Sequence, residues 1–429
     1  MHRDYSNGRT DCGPVRDGLT AYNQRSLRCQ CYRRGCTKEN INSLSKGSVV
    51  MQIIGIVGFV VALLISVMFH ELGHFLTARK FGMWVSEFFV GFGRRIWSFT
   101  RGETEYGIKA IPAGGYCRIE GMTPSDEMPE GEEGRAFVRA SSLKKLIVLG
   151  AGSTAHFILG FLLIFSIFFA VGYTTITPVV AKVADASAAA SAGFKAGDEI
   201  LSINGKAVTE WSKDATQIAQ SKGAVMHFLV QRGDTKISIA ATPVYNDGAK
   251  RYMLGVTTAL GTERDGFTKS ISESSKATWT LTKESAKSLV TLPSKVPQLV
   301  RQTFLHEERD PNGLVGVVGA ARVSGEAVGS EKLNNNERLA TFILLVASLN
   351  VFVGLFNLLP ILPLDGGHMA VAIADEVRAL FARLRRKPRP APIDVNVLTP
   401  ITGVVVVLLA ILTLLLVIAD IINPVSLNL

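Results

Sequence analysis

Four long stretches almost free of charge constrain this chain more than anything else in its sequence. The first runs from Ile53 to Phe69 and continues to Ala78, interrupted only by His70, Glu71 and His74. The others are Leu146 to Val180, Leu339 to Leu364 and Asn396 to Ala419. About 20 helical residues cross the hydrocarbon core of a bilayer, so each stretch is long enough. Charged residues make up only 19% of the chain, below the roughly one quarter of soluble domains. That excludes a soluble enzyme and a disordered chain. The expected architecture is a polytopic α-helical membrane protein with four transmembrane helices.

The polar blocks between these stretches set an orientation. Residues 79–145 hold 11 Lys/Arg against 9 Asp/Glu, 366–395 hold 6 Lys/Arg, and the tail after Ala419 holds none. Positive charge favours the cytoplasmic side, so both basic loops are expected inside and the C-terminus outside. The block 181–338 is then external. The expected segments are a basic extension 1–50, a first membrane helix 51–78, and a cytoplasmic loop 79–145 with β structure. A second helix 146–175, an external domain 176–262 and an external connector 263–338 follow. Last come a broken third helix 339–365, a cytoplasmic helix and basic loop 366–395, a fourth helix 396–420 and an external tail 421–429.

Residues 1–50 fit this orientation poorly. They carry 9 Lys/Arg against 4 Asp/Glu, a balance that prefers the cytoplasm, and they contain no apolar core of a signal peptide. Met51 is therefore expected to be the translated start. Cys29, Cys31 and Cys36 form half a metal knuckle without its partner half, and Cys117 stands alone, so no disulfide framework is expected.

Chemistry enters with His70-Glu71-Leu72-Gly73-His74. Residues i and i+4 share a helix face, so His70 and His74 can present two imidazoles to one metal ion. Glu71 stands beside them, where a carboxylate can take the proton of an attacking water. Ionisable side chains inside a membrane helix are costly unless paired or liganded, which favours the metal reading over snorkelling toward Arg79 and Lys80. A catalytic zinc site takes three protein ligands and leaves one position open. The third stretch offers the next donor, in Asn357-Leu-Leu-Pro360-Ile-Leu-Pro363-Leu-Asp365-Gly366-Gly367-His368. Pro360 and Pro363 interrupt the span, and Gly366 and Gly367 are expected to free the backbone beyond it. Irregular backbone at membrane depth is tolerated only in a protein-lined cavity. Asp365 supplies a carboxylate at the break, Asn357 an amide toward the same cavity, and His368 is a rival third ligand. His156 in the second span reads as a hydrogen-bonded interhelical residue.

These two motifs resemble those of the site-2 protease family of intramembrane zinc metalloproteases. Further matching segments are Phe89-Val90-Gly91-Phe92-Gly93, Arg101 to Gly107, Pro112 to Cys117 and Gly121 to Pro124, and the likeness spans nearly everything from Met51 onward. The Pro-x-Leu-Pro-x-Asp-Gly form is similar to that of the actinobacterial branch, whose chains also begin near Met51. The resemblance implies Zn2+ held by His70, His74 and Asp365, Glu71 as catalytic base, and Asn357, Gly91, Gly93, Pro360 and Pro363 near the substrate. It also implies regulated intramembrane proteolysis. The partners would be single-span membrane proteins such as anti-sigma factors, trimmed outside by another protease. The active site would lie near the cytoplasmic face of the plasma membrane. One departure is Ser153-Thr154-Ala155-His156, where relatives usually carry Gly-Pro followed by Asn.

Two accessory parts complete the expectation. Ile96–Thr100 and Thr104–Lys109 flank Arg101-Gly102 as a hairpin, to which an extended substrate could be added as a strand. Ala192 to Gly205, followed by Met226–Gln231 and Lys236–Ala240, resembles an extracytoplasmic α+β PDZ domain, with a possible peptide or protein ligand. Ile373, Val377, Leu380, Phe381 and Leu384 form one face of a basic helix that resembles an interfacial helix on an anionic leaflet. No nucleic-acid partner is expected. The alternative is a PDZ-bearing membrane adaptor with a non-catalytic zinc site, against which Glu71 argues, since a structural site needs no base. A protease of cytoplasmic or misfolded proteins is a further rival. A transporter would require matching broken helices in two halves, and only one break is present.

Overall fold

The computed structural model describes residues 38–123, 126–305, 307–310 and 313–425. Cys29, Cys31, Cys36 and most of the basic extension lie outside the described residues. The chain divides into Ser166–Ile271 and a second unit formed by everything before and after it.

In the larger unit, α1 (Lys38–Lys80) runs through the first apolar stretch and is followed by a hairpin of β1 (Val85–Arg101) and β2 (Thr104–Ile119). Next come α2 (Ser142–Ser166), which continues past the unit boundary as a π-helical turn to Val171, and α6 (Phe267–Phe304), which begins inside the smaller unit. Then follow α7 (Val317–Gly329), α8 (Asn335–Asn357), α9 (Asp365–Leu384) and α10 (Thr399–Ile422). Among the described residues, four helical segments are long and apolar enough to cross a membrane: Ser48–Lys80, Ser142–Val171, Asn335–Asn357 and Val395–Ile422.

Helix α8 opens with a capping box, in which Asn334 and Glu337 each accept the other's backbone N–H. It ends at Asn357. The segment Leu358–Leu364 is irregular and holds a cis Leu362–Pro363 bond, because two prolines remove the donors a helix needs. Asp365 then starts a new helix. Gly366 and Gly367 differ from expectation: they lie inside the first turn of α9 rather than in free backbone. A Cβ on Gly366 would meet Leu358 O and Leu359 O at 2.3 Å, and one on Gly367 would meet Leu362 N at 2.5 Å. The glycines are needed for close approach, since the loop folds back onto the helix it precedes.

Within the connector expected over 263–338 the described residues include α6 and α7, and α7 packs along α1. A Cβ on Gly325 would meet Gln52 O at 2.8 Å and one on Gly329 would meet Ser48 O at 3.0 Å, the close contact that small residues permit between membrane helices. The N-terminus of α7 is capped from the fourth span. Asp420 Oδ2 accepts from Gly316 N at 3.0 Å and Gly319 N at 2.8 Å, while its other oxygen faces buried Arg309.

The smaller unit contains a six-stranded sheet. β3 (Tyr173–Val183), β4 (Glu199–Ile203), β5 (Lys206–Ala207), β6 (Met226–Arg232), β7 (Thr235–Ala241) and β10 (Val256–Glu263) run in the order β10-β3-β4-β6-β7, with β5 pairing β4. β8 (Val244–Asn246) and β9 (Arg251–Met253) form a separate hairpin. Short helices α3 (Ala188–Ala192), α4 (Trp211–Asp214) and α5 (Thr216–Ala219) complete it around Phe194, Ile200, Ile203, Phe228 and Val230. The apolar run Leu146 to Val180 is thus not one span. It turns at Gly172, where φ is +93°, and the β-branched Thr174, Thr175, Ile176 and Thr177 continue as a strand. The expected boundary between 175 and 176 falls inside β3.

Asp198 anchors this unit. It is fully buried and accepts from Arg232 Nε at 2.7 Å, Arg232 Nη2 at 2.8 Å and Lys195 N at 2.8 Å. The Arg232 guanidinium holds its carboxyl below the ordinary range. Its stabilising contribution is therefore present above the unfolded carboxylate pKa and disappears as pH falls through the depressed folded value. Asp198→Asn is expected to cost about 1–3 kcal/mol near neutral pH. In thermal melts across pH, the gap from wild type should close in acid; a gap constant down to strongly acid pH would contradict this account.

Candidate metal centre

The two histidines of α1 face the first turn of α9. Their Nε2 atoms are 3.0 Å apart, and Asp365 Oδ2 lies 3.2 Å from each. All three side chains are buried or nearly so, and they form a potential metal-ligating group. His74 Nδ1 is 2.8 Å from Val148 O of α2. A carbonyl only accepts, so that nitrogen carries the proton and Nε2 keeps its lone pair for the centre. Among the described residues, Asp365 Oδ2 and His70 Nδ1 are buried without a hydrogen-bond partner. Electron-rich atoms converging with a carboxylate oxygen left unbonded fit a cation. Tetrahedral zinc with bonds of about 2.0–2.2 Å sets its ligand atoms about 3.4 Å apart, close to the triangle observed here.

The backbone brings these groups together through glycine. A Cβ on Gly73 would meet Ala151 O at 2.5 Å, so α1 and α2 touch main chain to main chain. Opposite, a Cβ on Gly152 would lie 2.5 Å from both His70 Cε1 and His74 Nε2. Gly152→Ala must therefore displace both imidazoles. It is expected to weaken zinc binding about 10- to 100-fold, the scale for disturbing groups that orient metal ligands. Chelator competition on the purified protein measures it, and unchanged affinity would show that α2 can yield without moving the histidines. The packing role of Gly73, and Gly152 altogether, escaped the sequence reading; the one available signal was small residues recurring within two apolar spans.

Glu71 is held from the hairpin. Cys117 N donates to its Oε2 at 2.9 Å, and Oε1 has no hydrogen bond among the described residues. β2 reaches α1 because residue 115 is glycine: a Cβ there would meet Met68 Sδ at 2.5 Å and Phe89 O at 3.0 Å. Burial and the neighbouring Glu71 carboxylate push the Cys117 thiol up to about 12. Its sulfur is not part of the cluster of His70, His74 and Asp365. Gly91 and Gly93 both have positive φ, and a Cβ on Gly91 would meet Ile111 O at 2.7 Å, so they bend β1 where its register with β2 shifts.

His156 is buried in α2. Its Nδ1 is 2.9 Å from Asn350 Oδ1, and its ring centroid is 5.0 Å from that of His70. Asn350 also donates to Ser66 Oγ at 2.9 Å and Val346 O at 2.8 Å. Three spans are thereby tied by one amide behind His70. His368 lies one helical turn past Asp365 and is not in the ligand cluster. Asn357 terminates α8 and its side chain makes no hydrogen bond among the described residues. Pro360, with Ile361, Leu362 and Gly367, lines an apolar cleft of about 520 Å³ between the loop, α9 and α10; Pro363 is exposed on the same loop.

Residues 58–411 match the profile of peptidase family M50. The zinc metalloprotease Rip1 of Mycobacterium tuberculosis is 34% identical over 412 residues, which cover 88% of this chain and 99% of the relative. Rip1 of Mycolicibacterium smegmatis is 33% identical over 87% of this chain and 98% of its own. A putative zinc metalloprotease of Clostridium perfringens is 27% identical over 72% and 84%. Among solved structures, the PDZ domain of the SdrC-like protein from Listeria monocytogenes covers 20% of this chain and 92% of its own, at 24% identity and a TM-score of 0.19. With a family match over most of its length and relatives sharing a third of its residues, the chain belongs to peptidase family M50, the site-2 proteases, and is a zinc metalloprotease of the membrane.

Proposed function

We propose that this protein is an intramembrane endopeptidase that cuts the transmembrane segments of single-span proteins, anti-sigma factors among them, after a first cleavage outside. The observation that carries the reading is Glu71, fixed by the Cys117 N–H beside the His70, His74 and Asp365 cluster within a membrane-spanning helix. These three side chains would hold zinc, which when bound supplies Lewis acidity toward the scissile carbonyl and the attacking water.

The remaining work falls to the chain itself. Glu71 Oε1 is free to take the proton of the attacking water and to return it to the leaving amine, while Oε2 stays tied to Cys117. The β1–β2 ribbon supports an extended substrate. A helical substrate hides its carbonyls in i→i−4 hydrogen bonds, and adding it as a strand to an edge exposes them. Gly91 and Gly93 shape that ribbon, and Asn357 offers an amide to the substrate backbone or the oxyanion. On the charge rule, the site lies near the cytoplasmic face and the unit Ser166–Ile271 lies outside. There its PDZ-like sheet would bind a substrate end or exclude substrates with an intact external domain.

The test is cleavage in cells of a single-span reporter with its external domain truncated, comparing wild type with Glu71→Ala. Processing by wild type alone is the expected result. Equal processing by both would remove the catalytic reading and favour a membrane adaptor.

A further inference from the structure

The segment between the third and fourth spans carries a feature that hydrolysis does not use. Helix α9 exposes Ile373, Val377, Leu380, Phe381 and Leu384, between 45% and 70% accessible. Their spacing of i, i+4, i+7, i+8 and i+11 makes one apolar stripe. Beyond it, five of the seven residues 383–389 are Arg or Lys. The chain folds back there, with Arg385 N donating to Phe381 O at 3.1 Å and Lys387 N to Ala382 O at 2.8 Å. The far end of the loop is pinned where Arg389 Nη2 donates to Glu376 at 2.9 Å. Between helix and loop lies a pocket of about 430 Å³ lined by Arg378, Phe381, Ala382, Arg385, Lys387 and Pro390. Arg378 is braced by Asp375 Oδ1 at 3.2 Å. Arg385 and Lys387 have no ion-pair partner among the described residues.

We propose that this pocket binds the headgroup of an anionic phospholipid, with the apolar stripe of α9 lying in the acyl boundary beside it. Two observations choose a lipid over other anions. Both ends of the segment are continuous with spans, α8 before it and Val395–Ile422 after it, which keeps it at the bilayer surface. The cationic pocket also opens beside exposed apolar side chains, the arrangement of an amphipathic helix in an anionic interface. Free phosphate would use the cations and leave the stripe uncovered.

The experiment is native mass spectrometry of the purified full chain titrated with phosphatidylglycerol or phosphatidylcholine. Wild type should retain phosphatidylglycerol in preference to phosphatidylcholine. Arg385→Gln with Lys387→Gln should weaken phosphatidylglycerol binding about thirtyfold, roughly fivefold per cation near an anionic surface, and leave phosphatidylcholine unchanged. Arg385→Lys keeps the charge and should bind as wild type does, which separates lost charge from lost fold. Phe381→Gln with Leu384→Gln should also weaken lipid retention. Equal binding by the cation double variant overturns the proposal. So does saturation of the site by glycerol 3-phosphate alone, which would make it a soluble-phosphate site, or displacement of lipid by an acidic peptide at lower concentration, which would make it a protein-docking site.

Discussion

Replacing Glu71 by glutamine is expected to lower peptide-bond hydrolysis about 10³-fold while zinc remains bound. A positioned general base contributes about 10²- to 10⁴-fold, and Glu71 is the sole carboxylate of α1 beside the cluster. Glutamine keeps an oxygen that can accept the Cys117 N–H, so the side chain stays in position and only its basicity is lost. The metal set is untouched, because Glu71 contributes no atom to the triangle of His70, His74 and Asp365. Turnover of a fluorogenic transmembrane peptide in proteoliposomes, read beside zinc content by elemental analysis, measures both quantities. Activity within tenfold of wild type would remove Glu71 from the chemistry. Loss of zinc together with activity would make it a ligand instead of a base.

Asp365→Ala is expected to weaken zinc binding by more than about 100-fold, and His368→Ala by less than about tenfold. The reason is distance and burial. Asp365 Oδ2 lies 3.2 Å from both Nε2 atoms, where His368 contributes nothing to the cluster. Loss of a direct ligand should exceed the 10- to 100-fold cost of losing a group that only orients one. Without the carboxylate, two imidazoles 3.0 Å apart face each other with no third donor. Competition with a graded series of chelators gives the two affinities. The reverse ranking would transfer the third position to His368 and require the first turn of α9 to rotate.

Much of this protein was legible in its sequence because membrane insertion is a strong and local constraint. An apolar run of 20 residues without charge has few other solutions in water. Pro360 and Pro363 likewise marked an interruption of the third stretch, since a ring without an N–H removes a helical donor, although context lets α6 run through Pro293 and Pro297. The hairpin turn at Arg101-Gly102 and the strand pair on either side of Arg232-Gly233-Asp234 were readable for the same reason: their signals lie within a few residues of one another.

Where hydrophobicity alone was the guide, it overran. The stretch Leu146 to Val180 has uniform apolarity but changes from helix to strand at Gly172, because β3 finds a partner in β10, more than 70 residues away. The connector's helices α6 and α7 carried a weak local signal. α7 is buried by the first span and capped by Asp420 at the end of the fourth. Gly366 and Gly367 read as flexible backbone from sequence, whereas the folded chain uses them as surfaces against which a loop packs.

The sequence by itself determined the chemistry on offer: two imidazoles and a carboxylate spaced on one helix face, and a second donor segment beyond a proline break. Their spacing is intrahelical and follows from 3.6 residues per turn. Only the tertiary structure set Asp365, and not His368, beside the two imidazoles, brought a backbone N–H of β2 to Glu71, and seated Gly152 beneath both histidines. Each of those is a contact between segments at least 45 residues apart, set by how closely helices and strands can approach, and no local pattern in the chain encodes that distance.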